Sequence, residues 1–320
     1  MTMKNQKSGK LNILKRSEFS LILIIAAIFL IASVGTNNFF TSYNLTNILK
    51  QCSIIGVISI SATLIIITGG IDLSCGAICG MSTLIVAMGQ ARWGMSIPVA
   101  IIASLVISII CGIYNAVIIN EFKVPPFIAT LGSMTILRGL IKVISNASTI
   151  AGLNKAFGEF ASESILFIPK LAIIWVAVVV IGFFVLRSTT FGRNLYVLGS
   201  GKEVARLCGI SIRKVIYMTY GIAGFLCGIA GIMLASRINS AVPTAGNGYE
   251  MNAIAATVIG GASLSGAKGS VWGTALGTIL MTLIDNAGIQ FGVNSFVMEI
   301  STGVLITIAV IIDQLKNKKA

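Results

Sequence analysis

The sequence predicts an all-α integral membrane protein, a polytopic bundle of about ten transmembrane helices. Three features predict this class. Of the 320 residues, 56% are hydrophobic and 10% are charged, whereas soluble globular domains carry roughly 25% charged residues. The hydrophobic residues form runs of about 20, the length that an α-helix needs to cross the hydrocarbon core. Lys and Arg fall mostly at the ends of those runs, where a chain leaves the bilayer.

The hydrophobic runs predict the crossings in chain order. They cover residues 19–38, 52–68, 73–91, 97–119, 127–145, 169–187, 215–236, 251–264, 270–289 and 295–312. The first run follows basic residues, as the apolar part of a signal peptide does. It lacks a small-residue cleavage site, however, and further runs follow it, so we expect a retained first helix.

The basic residues predict the side of the membrane on which each loop lies. If the chain starts in the cytoplasm, most of the 23 Lys and Arg residues fall in cytoplasmic segments, in agreement with the positive-inside rule. An even number of crossings then returns the C-terminus to the cytoplasm. The predicted parts are a cytoplasmic tail over residues 1–18, a transmembrane domain over 19–313 with a cytoplasmic loop at 188–214, and a cytoplasmic tail over 314–320.

The composition argues against enzyme chemistry and against nucleic-acid binding. The chain contains no histidine, the usual general base and commonest metal ligand, and its six cysteines lack the paired spacing of zinc sites. Membrane topology accounts for the net charge of +13. We expect no catalytic residue and no metal site. A phosphate-binding loop is also missing, because Tyr196 and Ala267 interrupt the two nearest matches, so energy must come from a gradient or another subunit.

Glycine is abundant, at 34 residues, and recurs at four-residue spacing, as at Gly224 and Gly228 and at Gly273 and Gly277. In lipid little hydrophobic force draws helices together, so small faces that permit close van der Waals contact hold a bundle together. We expect these glycines at helix contacts, with a moving interface as the alternative.

Two polar or glycine- and proline-rich stretches interrupt the runs, at residues 68–74 and 124–132. Irregular backbone at membrane depth is tolerated where it is buried in protein or lines a wet cavity. These stretches are therefore either parts of a pathway or ordinary interfacial turns. Residues 69–74 (GGIDLS) are echoed at 260–265 (GGASLS), through an internal repeat or by chance.

Few carboxylates lie within or beside the predicted spans, namely Asp72, Glu250, Asp285 and Glu299. Intramembrane acids are functional candidates, and a carrier driven by H⁺ or Na⁺ would use such groups. Each of them can equally cap a helix or pair with Arg138 or Lys142, so both interpretations stay open.

The cytoplasmic segment 192–209 predicts a short amphipathic helix. Ser200 is placed to cap its start and Gly209 to end it. Between them, Val204, Leu207 and Cys208 share one face at i, i+3 and i+4 spacing. Such a helix either binds a partner surface or lies on lipid headgroups.

With these motifs in view, the sequence resembles the membrane-spanning permease subunits of bacterial ABC (ATP-binding cassette) importers for monosaccharides, in particular the ribose-type permeases. The resemblance covers nearly the whole chain. Its motifs are Gly70–Ser74, Phe127–Leu131, Arg206–Ile210 and, as the most specific, Pro243–Glu250 running on to Ile254–Ala256 and Gly260–Gly261. Ala267 departs from the family pattern, which has glycine there, and this puts the backbone geometry at that position in doubt.

The resemblance implies a transport subunit of the bacterial inner membrane that moves ribose or a similar sugar into the cytoplasm. Its implied partners are the lipid bilayer, a second permease subunit in a homodimer, a cytoplasmic ABC ATPase and an extracytoplasmic sugar-binding protein. ATP and Mg would be bound by the ATPase, and no cofactor by this chain. The same family fold is compatible with a nucleoside, a sugar alcohol or an autoinducer-type furanosyl compound as cargo.

The resemblance also implies roles for three groups of residues. The loop helix becomes a coupling helix that contacts the ATPase through Lys202, Glu203, Val204, Arg206, Leu207 and Gly209. A path for a neutral sugar needs hydroxyl and amide partners more than charge. Its candidate residues are Asp72, Asn115, Phe127, Thr130, Asn252 and Asn286. The candidates on the side of the binding protein are Pro243, Asn247, Tyr249 and Glu250.

Overall fold

The structure is a computed structural model that describes residues 17–166 and 168–317. Over these ranges the regular secondary structure is α-helical apart from one short antiparallel hairpin and an isolated bridge between Ile150 and Ala241, which confirms the predicted class. The elements are α1 (Ser17–Gly35), α2 (Ser42–Ile67), α3 (Cys75–Ala91), α4 (Ile97–Glu121), α5 (Pro126–Ser145), α6 (Lys155–Ser162), β1 (Ser164–Ile165), β2 (Ile168–Pro169), α7 (Lys170–Ser188), α8 (Thr190–Ser200), α9 (Lys202–Leu207), α10 (Ile212–Ile238), α11 (Tyr249–Ile259), α12 (Val271–Gln290) and α13 (Ser295–Asn317). Of the predicted tails, residues 1–16 and 318–320 lie outside the described ranges.

Seven helices of the described chain are long and apolar enough to cross a bilayer: α1, α2, α4, α5, α7, α10 and α13. Each coincides with a predicted hydrophobic run. The largest boundary error is at α2, which starts at Ser42 instead of residue 52. Its first turns are polar, and the helix begins there because the Thr41 hydroxyl accepts a hydrogen bond from the Asn44 backbone N–H at 3.2 Å.

The three remaining predicted crossings are shorter or less apolar helices. α3 has 17 residues and α12 has 20. The predicted span 251–264 is wrong as a full helical crossing, because α11 has only 11 residues. A helix of that length rises about 16 Å, roughly half of the hydrocarbon thickness. An irregular segment, residues 239–248, joins α10 to α11.

Helices α2 and α10 form the centre of the bundle, and α3, α4, α11 and α12 pack around them. Glycine permits the closest approaches, as the spacing predicts. A Cβ at Gly224 would lie 2.4 Å from the Ser108 carbonyl oxygen, and one at Gly277 would lie 2.0 Å from the Ala256 carbonyl oxygen. Both contacts are with backbone, which cannot rotate away. The close packing of α10 against α4, and of α12 against α11, therefore requires glycine at these two positions.

Small hydroxyl side chains tie the central helices together inside the bundle. The Thr63 and Thr274 hydroxyls are 2.7 Å apart and join α2 to α12, and the Ser82 and Ser104 hydroxyls are 2.6 Å apart and join α3 to α4. All four residues are fully buried. In a core without water such hydrogen bonds satisfy groups that would otherwise be costly to bury.

Candidate translocation and coupling sites

The loop between α2 and α3 holds a buried carboxylate just before the start of α3. Asp72 is only 4% exposed, and it accepts hydrogen bonds from the Ser74 backbone N–H at 2.7 Å and from the Ser74 hydroxyl at 2.6 Å. Ser74 is the residue just before α3, so these bonds hold Asp72 beside the start of that helix, which carries unpaired N–H groups and a partial positive charge.

A polar network fastens this loop to α4 and α5. Asn115 donates to the Ser74 hydroxyl at 2.8 Å and accepts from the Ser133 hydroxyl. The Thr130 hydroxyl accepts from the Leu73 backbone N–H at 3.2 Å. Asn115 and Thr130 are fully buried. Of the predicted path residues, Asp72, Asn115 and Thr130 thus come together, but in a hydrogen-bonded anchor instead of a cavity wall.

The segment before α11 bends into the bundle and brings a second carboxylate beside the first. Gly76, in the first turn of α3, is so close to Glu250 that a Cβ there would lie 2.0 Å from the carboxylate oxygen Oε2. The N-termini of α3 and α11 therefore meet inside the protein. Two partial positive charges favour the carboxylates that lie between them.

Arg138 of α5 holds the bent segment in place. Its guanidinium donates to the Ala245 carbonyl at 2.6 Å and to the Gly246 carbonyl at 2.7 Å, and lies 3.8 Å from Glu250 Oε2. Glu250 is 8% exposed and also accepts from the Gly248 backbone N–H at 3.2 Å. Its predicted contact with a binding protein stays a prediction, and in this structure the side chain is buried.

A cavity of about 500 Å³ opens beside the start of α11, between α2, α11, α12 and α13. Its polar lining combines amides, hydroxyls and carboxylates. These side chains belong to Gln51, Asn247, Asn252, Asp285, Ser295, Glu299 and Thr302. Of the described residues that line it, none is Lys or Arg. The volume is within the range of about 300–1,000 Å³ that is usual for small-molecule sites.

The cavity contains one of the predicted path residues, Asn252, and one residue predicted for the outer surface, Asn247. Asn286 instead forms two reciprocal 2.9 Å hydrogen bonds with Asn44, which tie α12 to the start of α2. Phe127 is 49% exposed at the start of α5 and does not line the cavity.

The prediction from the sequence missed Gln51 as a lining residue. It named Asp285 and Glu299 only as isolated acids, and no local motif shows that α12 and α13 bring them to one cavity. Of the remaining residues predicted for the outer side, Pro243 and Tyr249 are half-buried in the bent segment that leads into α11. Both are within four residues of Asn247, which lines the cavity.

The predicted loop helix consists of two helices, α8 and α9, that meet at Gly201, where φ is +150°. Ser200 is the last residue of α8, and its hydroxyl donates to the Val197 carbonyl at 2.8 Å, so the predicted cap at Ser200 is wrong. Gly209 does end the segment, as predicted. Its φ of +69° lets its N–H bond to the Arg206 carbonyl at 2.9 Å.

Helix α9 presents apolar and charged side chains outward. Leu207 is 89% exposed and Val204 is 45% exposed, while Ala205 is fully buried against the bundle. Glu203 and Arg206 form an exposed ion pair beside them. An apolar pair on a short polar helix, uncovered within the described chain, is suited to a partner surface.

Helix α8 is attached to the transmembrane bundle through the loop that precedes α12. A Cβ at Gly199 would lie 1.9 Å from the Ile67 carbonyl oxygen and 2.4 Å from the Ala267 backbone nitrogen. The Ala267 N–H donates to the same Ile67 carbonyl at 2.9 Å, and the Tyr196 hydroxyl donates to the Gly269 carbonyl at 2.9 Å. Burial raises the pKa of Tyr196 above its usual value, which keeps this donor protonated. These contacts join the end of α2, helix α8 and the start of α12.

Ala267 has a left-handed backbone conformation, which favours glycine. Its φ is +59°, and this costs a residue with a Cβ roughly 1 kcal/mol. The departure from glycine noted in the sequence thus falls at a position with a left-handed backbone.

Comparison with known proteins places the chain in a family. Residues 44–312 match the family described as the permease component of branched-chain amino acid transport systems. The chain is 40% identical to the ribose import permease of Bacillus subtilis (strain 168), over 90% of each chain, and 38% identical to that of Escherichia coli (strain K12), over 92% of this chain and 93% of the relative. It is 32% identical to the fructose import permease of Rhizobium meliloti, over 94% of this chain and 86% of the relative. No solved structure matches the chain. The chain therefore belongs to this permease family, as a ribose-type permease of the ABC importers.

Proposed function

We propose that this chain is the subunit through which an ATP-driven importer moves a monosaccharide, ribose or a similar sugar, into the cytoplasm. The single observation that carries the substrate class is the lining of the 500 Å³ cavity. Amide and carboxylate groups bond to sugar hydroxyls in both directions, since amides donate and accept while carboxylates accept. The sugar import permeases among the relatives support the same class.

The family description names amino acid transport, and the cavity argues against that cargo. A branched-chain amino acid carries a carboxylate, whose burial requires a cationic or strong hydrogen-bonding partner. The described lining contains Asp285 and Glu299 and no Lys or Arg. The two acids can pair with the ammonium group of an amino acid, but the described lining offers its carboxylate no cation, whereas a neutral sugar needs none.

Energy is proposed to come from a separate ABC ATPase that binds ATP and Mg and contacts α9. Val204 and Leu207 supply the apolar contact, and Glu203 and Arg206 supply polar contacts at its edge. The contacts of Gly199 and Ala267 then carry a displacement of α8 to the end of α2 and the start of α12. Helices α8 and α9 together form the proposed coupling segment. Since α12 also bears Asp285, a movement of this segment alters the wall of the cavity.

The other proposed partners are a second copy of this chain and an external sugar-binding protein. In the spanning part of α13 none of the residues whose side chains the structure describes is buried, and this helix lines one side of the cavity. A second copy against that face would seal the cavity from lipid. Both termini are proposed to lie in the cytoplasm, which puts the cavity in the outer half of the bundle, where a binding protein delivers sugar.

The test is uptake of labelled ribose by proteoliposomes that contain the chain, the proposed ATPase and the sugar-loaded binding protein. We expect uptake that requires internal ATP, is lost when the ATPase is omitted and does not extend to leucine. Asn252→Ala should lower uptake without loss of assembly. Uptake of leucine in place of ribose would refute the assigned substrate class.

A carrier driven by an ion gradient is the second candidate, because Asp285 and Glu299 both line the cavity. It predicts ribose uptake by the chain alone that persists without ATP and collapses when an ionophore dissipates the gradient. For the ATP-driven importer, uptake of a nucleoside, a sugar alcohol or a furanosyl compound by the same proteoliposomes, compared with uptake of ribose, identifies the cargo.

A further inference from the structure

A second cleft, of about 380 Å³, opens at the end of the bundle that carries the coupling segment. It lies between the end of α4, helix α9 and the start of α10. Four basic side chains line it, those of Lys123, Lys202, Arg206 and Arg213. Ile119 and Ile216, which are 7% and 9% exposed, also belong to its lining. The cleft thus combines a cationic rim with a buried apolar part.

The charges of the rim are not balanced within the described chain. Arg213 Nε lies 3.0 Å from the Glu121 carboxylate, and Arg206 is paired with Glu203. Lys123 donates to the Asn120 backbone carbonyl, and neither Lys123 nor Lys202 has an acidic partner among the described residues. The cleft therefore keeps an excess of positive charge that an anion can neutralise.

Helix α4, whose end forms one wall of the cleft, also carries exposed apolar side chains. Ile110, Ile113 and Tyr114 on that helix are 54%, 39% and 45% exposed, and Phe122 just after it is 72% exposed. On a helix that crosses a bilayer, such residues contact acyl chains. A ligand that fits both features has an anionic head beside the lysines and a hydrocarbon tail along α4.

We propose that this cleft binds the headgroup of an anionic phospholipid in the leaflet at this end of the bundle, which is predicted to be the cytoplasmic one. Lys123 and Lys202 contact the lipid phosphate, and the acyl chain lies along α4. Basic pockets between transmembrane helices on the cytoplasmic side are suited to such headgroups. Since Lys202 and Arg206 belong to α9, a bound lipid contacts the coupling segment directly.

The experiment is a titration of the purified full-length chain with phosphatidylglycerol or phosphatidylcholine, read by native mass spectrometry. We expect phosphatidylglycerol to bind more tightly. Lys123→Gln should weaken its binding about fivefold, the factor that corresponds to roughly 1 kcal/mol for each basic residue near an anionic surface. Lys123→Arg should bind as the unaltered chain does, because it keeps the charge.

Lys214→Gln is the matched control, since Lys214 is exposed on α10 at the same end but does not line the cleft. It should leave phosphatidylglycerol binding unchanged. Equal losses in Lys123→Gln and Lys214→Gln would overturn the proposal, because binding would then follow total charge. Equal affinity for both lipids would also overturn it. So would a Lys123→Gln variant that loses the ATPase but keeps the lipid, since the cleft would then serve the protein partner.

Discussion

The contact of Gly199 with the bundle predicts that Gly199→Ala uncouples the ATPase from transport. The added Cβ would lie 1.9 Å from the Ile67 carbonyl oxygen, and an ordinary carbon to oxygen contact is about 3.3 Å, so relief requires a displacement of about 1.4 Å. Both nearby atoms, the Ile67 oxygen and the Ala267 nitrogen, are backbone. The strain therefore moves the end of α8 away from the bundle.

Overpacking of this kind costs about 1–3 kcal/mol. The displaced turn also strains the hydrogen bond from the Ala267 N–H to the Ile67 carbonyl. A penalty of about 2 kcal/mol lowers the population of the attached arrangement about thirtyfold relative to a detached one. We expect sugar uptake to fall at least about tenfold, while the outward face of α9 still binds the ATPase.

The assay compares ATP-dependent ribose uptake with ATP hydrolysis in the same proteoliposomes. Gly199→Ala should keep basal hydrolysis and lose its stimulation by the loaded binding protein. Gly139→Ala is the matched control, because no atom lies within 4 Å of a Cβ at that helical position. Normal coupling in Gly199→Ala, with the protein folded, would refute the reasoning that α8 acts through this contact.

Three further substitutions have expected outcomes. Arg138→Met leaves the Glu250 carboxylate buried without its cation, and thermal unfolding in detergent should show a loss of about 3–5 kcal/mol; a loss below about 1 kcal/mol would mean that the ion pair is dispensable. Ala267→Gly relieves a left-handed backbone strain of roughly 1 kcal/mol and should raise stability in the same assay; unchanged or lower stability would mean that the entropy gained by the unfolded chain exceeds this strain. Leu207→Asp should leave the melting temperature unchanged and weaken co-purification of the ATPase, while undiminished co-purification would argue against contact through α9.

Hydropathy predicted the spanning segments well where a single continuous helix crosses the membrane. The predicted span 97–119 is α4, Ile97–Glu121, because its boundaries are set by where apolar residues begin and end. The same signal failed at α11. Residues 239–248 are polar enough to be an external loop, and they bend inward because Arg138 of α5 bonds to two of their carbonyls. That partner lies 108 residues from Gly246 in the sequence, so no local pattern predicts it.

Polar residues also divide into those whose position the sequence predicts and those whose position depends on contacts with distant helices. In the sequence Asn252 and Asn286 are equivalent, each an amide within an apolar run. In the structure Asn252 lines a cavity, whereas the side-chain amide of Asn286 forms hydrogen bonds with that of Asn44. Which of two identical side chains is available to a solute depends on the neighbouring helices.

The amino-acid sequence by itself determined the membrane class, the positions of most crossings and the family, because these depend on composition, run length and contiguous motifs. Only the tertiary structure decided that the N-termini of α3 and α11 meet, that Glu250 is buried, and that Asp285 and Glu299 share a cavity. Hydrophobicity drives a segment into the bilayer whatever its neighbours are. Hydrogen bonds and ion pairs inside the bundle depend on which helices pack together, and those partners are distant in the chain.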